Sequence, residues 1–114
     1  INPALVEGQI QGGVVQGIGY ALIENLLYDK SGKMINPNFS TYIIPTSVDT
    51  AVIDPIIVEH IYPDGRYGAK GFGELPIIGV APAIVNAVFH ATGVRMKELP
   101  VTPERLFSVI GEKK

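Results

Sequence analysis

Residues 70–76, with the sequence Lys-Gly-Phe-Gly-Glu-Leu-Pro, place one carboxylate in a short turn rich in glycine. Gly71 and Gly73 allow backbone conformations and contact distances that a side chain would forbid. Because Glu74 has apolar neighbours, its pKa is expected to be raised, which suits a general base. An ordinary Gly-Pro turn with an exposed Glu is the alternative that these residues alone leave open.

A pair of glutamines lies on the helix that we predict over residues 5–27. Apolar residues recur every four positions along this segment, which favours a helix with one apolar stripe. At about 100° per residue, Gln9 and Gln16 lie within roughly 20° of each other, opposite the stripe and flanked by glycines. A face turned to water would carry Lys and Glu instead. We therefore expect this face to be buried against something polar, with no room for a branched side chain at Gly12.

Two strand-like segments accompany this helix. Residues 56–62 are rich in β-branched side chains and end at a Pro-Asp-Gly turn, which predicts a strand. Residues 39–44 are expected to form a second, short extended segment. Because helices and strands do not alternate regularly, the predicted fold class is α+β, with a long glycine-rich N-terminal helix, short strands and two further helices.

Those two further helices have clear boundary signals. One is predicted over residues 82–92, with Gly93 as its left-handed stop. The other is predicted over residues 103–110, because Thr102 has the side chain of an N-cap and a proline follows it.

Composition limits the kinds of protein that this chain can be. With 46% apolar and 18% charged residues, residues 1–114 are expected to form one globular domain. The net charge of −2, without any run of like charge, predicts no nucleic-acid partner and no membrane partner. The absence of Cys excludes disulfides and iron–sulfur clusters within the chain. His60 and His90 have no partner at ligand spacing, so no metal site is predicted from the chain's own side chains.

Several stretches together resemble the C-terminal part of the molybdenum-binding subunit of the xanthine dehydrogenase/aldehyde oxidase family. They follow the family's order and span almost the whole chain. The matching stretches are residues 7–22 (Glu-Gly-Gln-Ile-Gln-Gly-Gly-Val-Val-Gln-Gly-Ile-Gly-Tyr-Ala-Leu), 36–38, 42–46, 68–74 and 91–95. The resemblance implies that residues 1–114 are one segment of the molybdenum cofactor-binding domain, and the start at Ile1 without a Met is interpreted in the same way.

The resemblance also implies roles for individual residues. Members of this family are molybdenum hydroxylases, in which a glutamate acts as the general base, and Glu74 stands at that position. Gln9 matches a family glutamine that contacts the cofactor. The backbone of Gly71, Phe72 and Gly73 would then lie near the metal centre, where glycines permit close approach.

The cofactor implied is a molybdenum-pyranopterin (molybdopterin), with the cytosine dinucleotide as one form. It would be held jointly with parts of the enzyme outside these residues. The implied partners are the remainder of the molybdenum subunit, iron–sulfur and flavin subunits or domains, and a small N-heterocycle or aldehyde as substrate. A cytoplasmic enzyme is expected, whereas the chain alone is expected to self-associate and to be inactive. A non-catalytic structural or assembly domain of the same family is the alternative.

Overall fold

The computed structural model describes residues 2–112, and the regular structure in this range is helical. An isolated antiparallel bridge joins Tyr28 to Met34, and residues 2–112 contain no β-strand. The predicted α+β class is therefore wrong. The helices are α1 (Pro3–Ile18), α2 (Leu75–Ile78), α3 (Val80–Thr92) and α4 (Pro103–Gly111), with a π-helical turn at Gly19–Ile23 and a 3-10 turn at Arg66–Gly68.

Neither segment predicted to be extended forms a strand. The backbone N–H groups of residues 56–61 donate no hydrogen bond within the described part of the chain, so this segment lacks a strand partner there. In residues 39–44 the chain turns instead, because the N–H groups of Thr41 and Tyr42 donate to the carbonyl of Asn38 at 3.0 and 2.7 Å. Strand propensity alone is a weak guide, since its effect depends on packing against neighbouring strands.

Local sequence signals predict two helix boundaries correctly, at Gly93 and Thr102, but not the end of the first helix. The side chain of Asn2 caps α1, which stays α-helical to Ile18 and continues as the π-helical turn, ending earlier than the predicted residue 27. Gly93 has a φ of 68° and ends α3, as predicted. The side chain of Thr102 accepts a backbone hydrogen bond from the first turn of α4, so the predicted N-cap is also confirmed.

Two glycines let α1 approach the helices that follow the Glu74 turn. A Cβ added at Gly13 would lie 2.6 Å from the Cβ of Pro76, in α2. A Cβ added at Gly17 would lie 2.5 Å from the Cβ of Val80, at the start of α3. Carbon atoms in van der Waals contact are about 3.5–4.0 Å apart, so neither position has room for a side chain. The backbone of α1 therefore lies directly against α2 and α3.

The buried core is formed by the segment that connects α3 to α4. Val94, Met96 and Val101 form it, and partly buried side chains of α3 and α4 pack around them. The N–H of Val101 donates to the carbonyl of Ala21 at 2.7 Å, which attaches the loop before α4 to the end of the first helical segment. The radius of gyration is 17.8 Å, against about 13 Å for a compact domain of this length. The chain is therefore elongated and leaves much of its middle section exposed.

The stretch Leu75–Thr92 has a mean hydropathy of 1.6 over 18 residues, enough by length and composition to cross a membrane. It consists of two helices, α2 and α3, which meet at Gly79. Both pack against α1. A single apolar stretch of this kind is weak evidence for a membrane span.

Candidate functional site

The structure brings together two of the segments singled out by their sequence. The side-chain amide of Gln9 donates a hydrogen bond to the carbonyl of Gly73 at 2.8 Å, across 64 positions of the chain. One helical turn further along α1, Gly13 lies against Pro76. These two contacts hold the residues on both sides of Glu74 against α1. The position of the turn relative to the helix is therefore fixed at two points.

Glu74 lies at the start of α2 with φ −102° and ψ 3°, in the bridge region of the Ramachandran plot, where many active-site residues are found. Its side chain is exposed. Within residues 2–112 its carboxylate has no hydrogen-bond or ion-pair partner, since it does not cap the helix that it precedes. The carboxylate is therefore free to accept a proton from a bound molecule.

A shallow cleft of about 290 Å³ lies beside the hydrogen bond between Gln9 and Gly73. Half-buried Phe72 forms part of its wall. The cleft is lined by Leu5, Val6, Gln9, Phe72 and Gly73. Its surface combines apolar side chains with a neutral amide and backbone groups, without a charged side chain among the lining residues. Such a lining suits a flat, polar but uncharged ring system better than an ion.

The glycines around this cleft are open rather than packed. A Cβ added at Gly8, Gly12, Gly71 or Gly73 would meet no atom of the described residues within 4 Å. Gln16, expected on the same buried face, is exposed as well. The expectation of a closed groove at Gly12 is thus not met by this chain's own residues. Any crowding at Gly12 must come from a bound group or from another part of the protein.

A larger cleft lies elsewhere, lined by Leu26, Met34 and residues 36–39 and 42. Its volume is about 460 Å³, and Tyr42 is the ionisable residue among those that line it. The hydroxyl of Tyr42 donates to the carboxylate of Glu24 at 2.6 Å. That hydrogen bond, together with partial desolvation, raises the pKa of Tyr42 above its usual value. The phenol therefore stays protonated at neutral pH, and this cleft offers no base.

The hydrogen bonds of two polar residues, Asn36 and Gln11, were not identified from the sequence. Buried Asn36 accepts from the N–H of Leu27 at 2.9 Å and donates to the carbonyl of Asn25 at 2.7 Å. Gln11 donates to the carbonyl of Ile53 at 3.5 Å. Asn36 belongs to one of the stretches matched by resemblance, but its type and spacing do not show which backbone groups it satisfies.

His60 and His90 are both exposed. Over residues 2–112, no three His, Asp or Glu side chains lie close enough together to hold a metal ion. Lys70, next to the glycine turn, is exposed.

Comparison with known proteins identifies the family. A family model described as a molybdopterin cofactor-binding domain matches residues 1–51. The chain is 49% identical over 108 residues to the xanthine dehydrogenase molybdenum-binding subunit of Escherichia coli O157:H7, covering 94% of this chain and 14% of that protein. The chain belongs to the xanthine dehydrogenase/aldehyde oxidase family.

Two further members of this family show how widely the likeness extends. The nicotine 6-hydroxylase large subunit of Paenarthrobacter nicotinovorans is 43% identical over 112 residues, covering 93% of this chain and 13% of that protein. The crystal structure of quinoline 2-oxidoreductase from Pseudomonas putida 86 matches with a TM-score of 0.91 and 39% identity, covering 98% of this chain and 15% of that one. The predicted resemblance to molybdenum-binding subunits is confirmed, and the chain spans about a seventh of their length.

Proposed function

We propose that this chain supplies the general base, Glu74, and one wall of the cofactor pocket of a molybdenum hydroxylase. The hydrogen bond from Gln9 to Gly73 is the observation that carries the proposal. It joins the residue expected to contact the cofactor to the turn that bears the carboxylate. Gln9 and Gly73 are 64 positions apart in the chain, and their hydrogen bond brings the proposed cofactor contact next to the proposed base.

The residues at this site fit a molybdenum-pyranopterin. The pterin is a flat ring system rich in hydrogen-bonding groups, and the cleft beside Gln9 presents a neutral amide and backbone groups. The open space over Gly12 and Gly71 leaves room for a bound group to approach the backbone closely. When bound, the cofactor supplies the redox and electrophilic chemistry that a lone carboxylate lacks.

Each residue of the chain then has a separate task. The carboxylate of Glu74, without a partner among the described residues, accepts the proton that is released when oxygen is transferred to the substrate. Gln9 fixes the turn through Gly73, so that the carboxylate is held at a constant distance from the cofactor. Phe72 supplies an apolar wall of the cleft next to the turn that bears Glu74, against which a bound ring system can pack.

The names of the matched relatives favour an N-heterocycle as substrate. Xanthine, nicotine and quinoline each contain a nitrogen heterocycle, with electron-poor carbons that an oxygen nucleophile can attack. An aldehyde is the other substrate class, since its carbonyl carbon is similarly electron-poor. The cleft's apolar wall fits either class.

The proposed setting is the complete enzyme, with the remainder of the molybdenum subunit and iron–sulfur and flavin subunits or domains as partners. Since the matched relatives are about seven times longer, most of the cofactor's contacts would come from segments that this chain does not contain. The cytoplasm is the proposed compartment. The isolated chain is expected to lack activity and to self-associate through its exposed apolar side chains.

The test uses the full-length enzyme with Glu74→Gln and, as a matched control, Glu98→Gln, which changes another exposed glutamate. Gln is nearly isosteric with Glu but cannot accept the proton at neutral pH. We expect Glu74→Gln to lower kcat by about 10²–10⁴ with molybdenum content and assembly unchanged, and Glu98→Gln to retain wild-type kcat.

Retention of more than about a tenth of kcat in Glu74→Gln would reject the base assignment. It would favour the alternative, a structural or assembly domain of the same family. Normal molybdenum content in both variants is required, because loss of the metal would lower kcat for a different reason.

A further inference from the structure

The segment of residues 52–61, which leads toward the Glu74 turn, carries an unusually exposed set of apolar side chains. Val52 is 98% exposed, Ile56 is 83% exposed and Val58 is 86% exposed. β-branched side chains of this size normally gain about 1.5–3 kcal/mol each from burial. Three of them pointing away from the chain in one short segment therefore mark a surface that is covered in the complete protein.

Exposure alternates with a period of two over residues 52–58 of this segment. Ile53 and Pro55 are half-buried, and Ile57 is 37% exposed, far less than its neighbours Ile56 and Val58. A period of two is the signature of a strand, whose successive side chains point to opposite faces. Ile53, Pro55 and Ile57 thus face the rest of the described chain, and Val52, Ile56 and Val58 face away from it. Toward the end of the segment the pattern stops, because Glu59 is exposed and Ile61 is 76% exposed.

The backbone of the same segment has no partner of its own. Gln11 donates to the carbonyl of Ile53 at the beginning of the segment, and the N–H of Tyr62 donates to Gly68 just after its end. Between these two attachments, the N–H groups of residues 54 and 56–61 donate no hydrogen bond within residues 2–112. Pro55 has no N–H to donate. Both the donors and the apolar face are therefore available for pairing with another strand.

We propose that residues 52–61 pair, as a β-strand, with a strand contributed by the remaining part of the molybdenum-binding subunit. Strand addition of this kind uses main-chain hydrogen bonds for affinity and alternate side chains for specificity, and this segment offers both. Most of the length of the matched subunits lies outside the region that this chain covers, so they contain ample sequence to supply the strand. The proposal does not depend on the role of Glu74.

Hydrogen–deuterium exchange on the full-length subunit in the assembled enzyme tests the pairing. Amides hydrogen-bonded inside a sheet exchange far more slowly than amides open to water. We expect the amides of residues 56–61 that face the added strand to exchange at least about a hundredfold more slowly than in the unfolded chain. If every amide of residues 56–61 exchanges faster than that limit, the pairing is absent and the proposal is overturned.

Photo-crosslinking identifies the partner. p-Benzoylphenylalanine is placed at Val58 and, as a control, at Val48, which is the same residue type, is 91% exposed and lies in a separate turn. Directly paired strands bring side chains within about 4.5–5.5 Å, so the reagent at position 58 reaches a neighbouring strand. Crosslinks from position 58 to residues of the same subunit outside this chain are expected. Crosslinks to another subunit or to a second copy, or a yield no higher than at position 48, would overturn the proposal.

Discussion

The glycines of α1 fall into two groups that the sequence alone does not distinguish. Gly13 and Gly17 lie against Pro76 and Val80, where an added Cβ would overlap other carbon atoms. Gly8 and Gly12, on the same helix, meet no atom of the described residues within 4 Å. The first group stabilises the packing of three helices. The second group leaves open space beside Gln9, where no packing within this chain requires it.

This contrast separates two reasons for having glycine in a helix. Each interior glycine costs a helix about 0.5–1 kcal/mol relative to alanine, so both groups lower the stability of α1. Close helix packing offsets that cost at Gly13 and Gly17. At Gly8 and Gly12 an offset must come from something outside the described residues, and under the proposed function this is the bound cofactor.

The largest effect on folding is expected from Gly17→Val. Its side chain would have to occupy the space of Val80, and overpacking of this kind costs about 1–3 kcal/mol, sometimes more. In the full-length enzyme we expect a clearly lower Tm and a lower yield of folded protein, measured by thermal unfolding and gel filtration. An unchanged Tm would mean that α1 and α3 are further apart than the structure indicates.

Gly12→Val makes the same change on the open side of the helix and serves as the matched comparison. The change in intrinsic helix propensity is the same as for Gly17→Val, but no described atom lies within 4 Å of the new Cβ. We expect the Tm of the apoenzyme to differ little from wild type, and molybdenum content per subunit to fall, because the added side chain enters the cofactor's space. Full molybdenum content would show that this face does not contact the cofactor.

Gln9→Met removes the amide that holds the Glu74 turn, at nearly constant side-chain size. Gln11→Met is the control, because Gln11 is on the same helix and donates to a backbone carbonyl of a different segment. We expect Gln9→Met to lower kcat about tenfold, which corresponds to 1.4 kcal/mol of lost positioning, with little change in KM. Gln11→Met is expected to keep the wild-type kcat. Equal effects of the two substitutions would assign Gln9 a merely structural role.

Local chemistry explains what could be predicted from the sequence. The left-handed stop at Gly93 and the N-cap at Thr102 depend on one or two residues each, and both are confirmed. The helical face shared by Gln9 and Gln16 also follows from spacing alone. The hydrogen bond to Gly73 does not, since a contact across 64 positions depends on how the helices pack.

The prediction of an α+β fold class is wrong for a related reason. The β-branched residues of the 52–61 segment have the composition of a strand, but a strand requires a partner, and none lies within the described residues. The sequence pattern therefore indicates a tendency to form a strand, but residues 2–112 contain no strand with which this segment pairs. The crowding expected at Gly12 is likewise not found among the described residues, since an added Cβ would meet none of their atoms within 4 Å.

The central claim, that Glu74 is the general base, is tested most directly by the rate at which substrate reduces the enzyme in a single anaerobic turnover. This rate isolates proton and electron transfer from product release and from reoxidation. We predict that Glu74→Gln slows reduction by substrate by about 10²–10⁴, while reduction by dithionite proceeds at the wild-type rate. Reduction by substrate at the wild-type rate in a variant with full molybdenum content would contradict the assignment of Glu74 as the base.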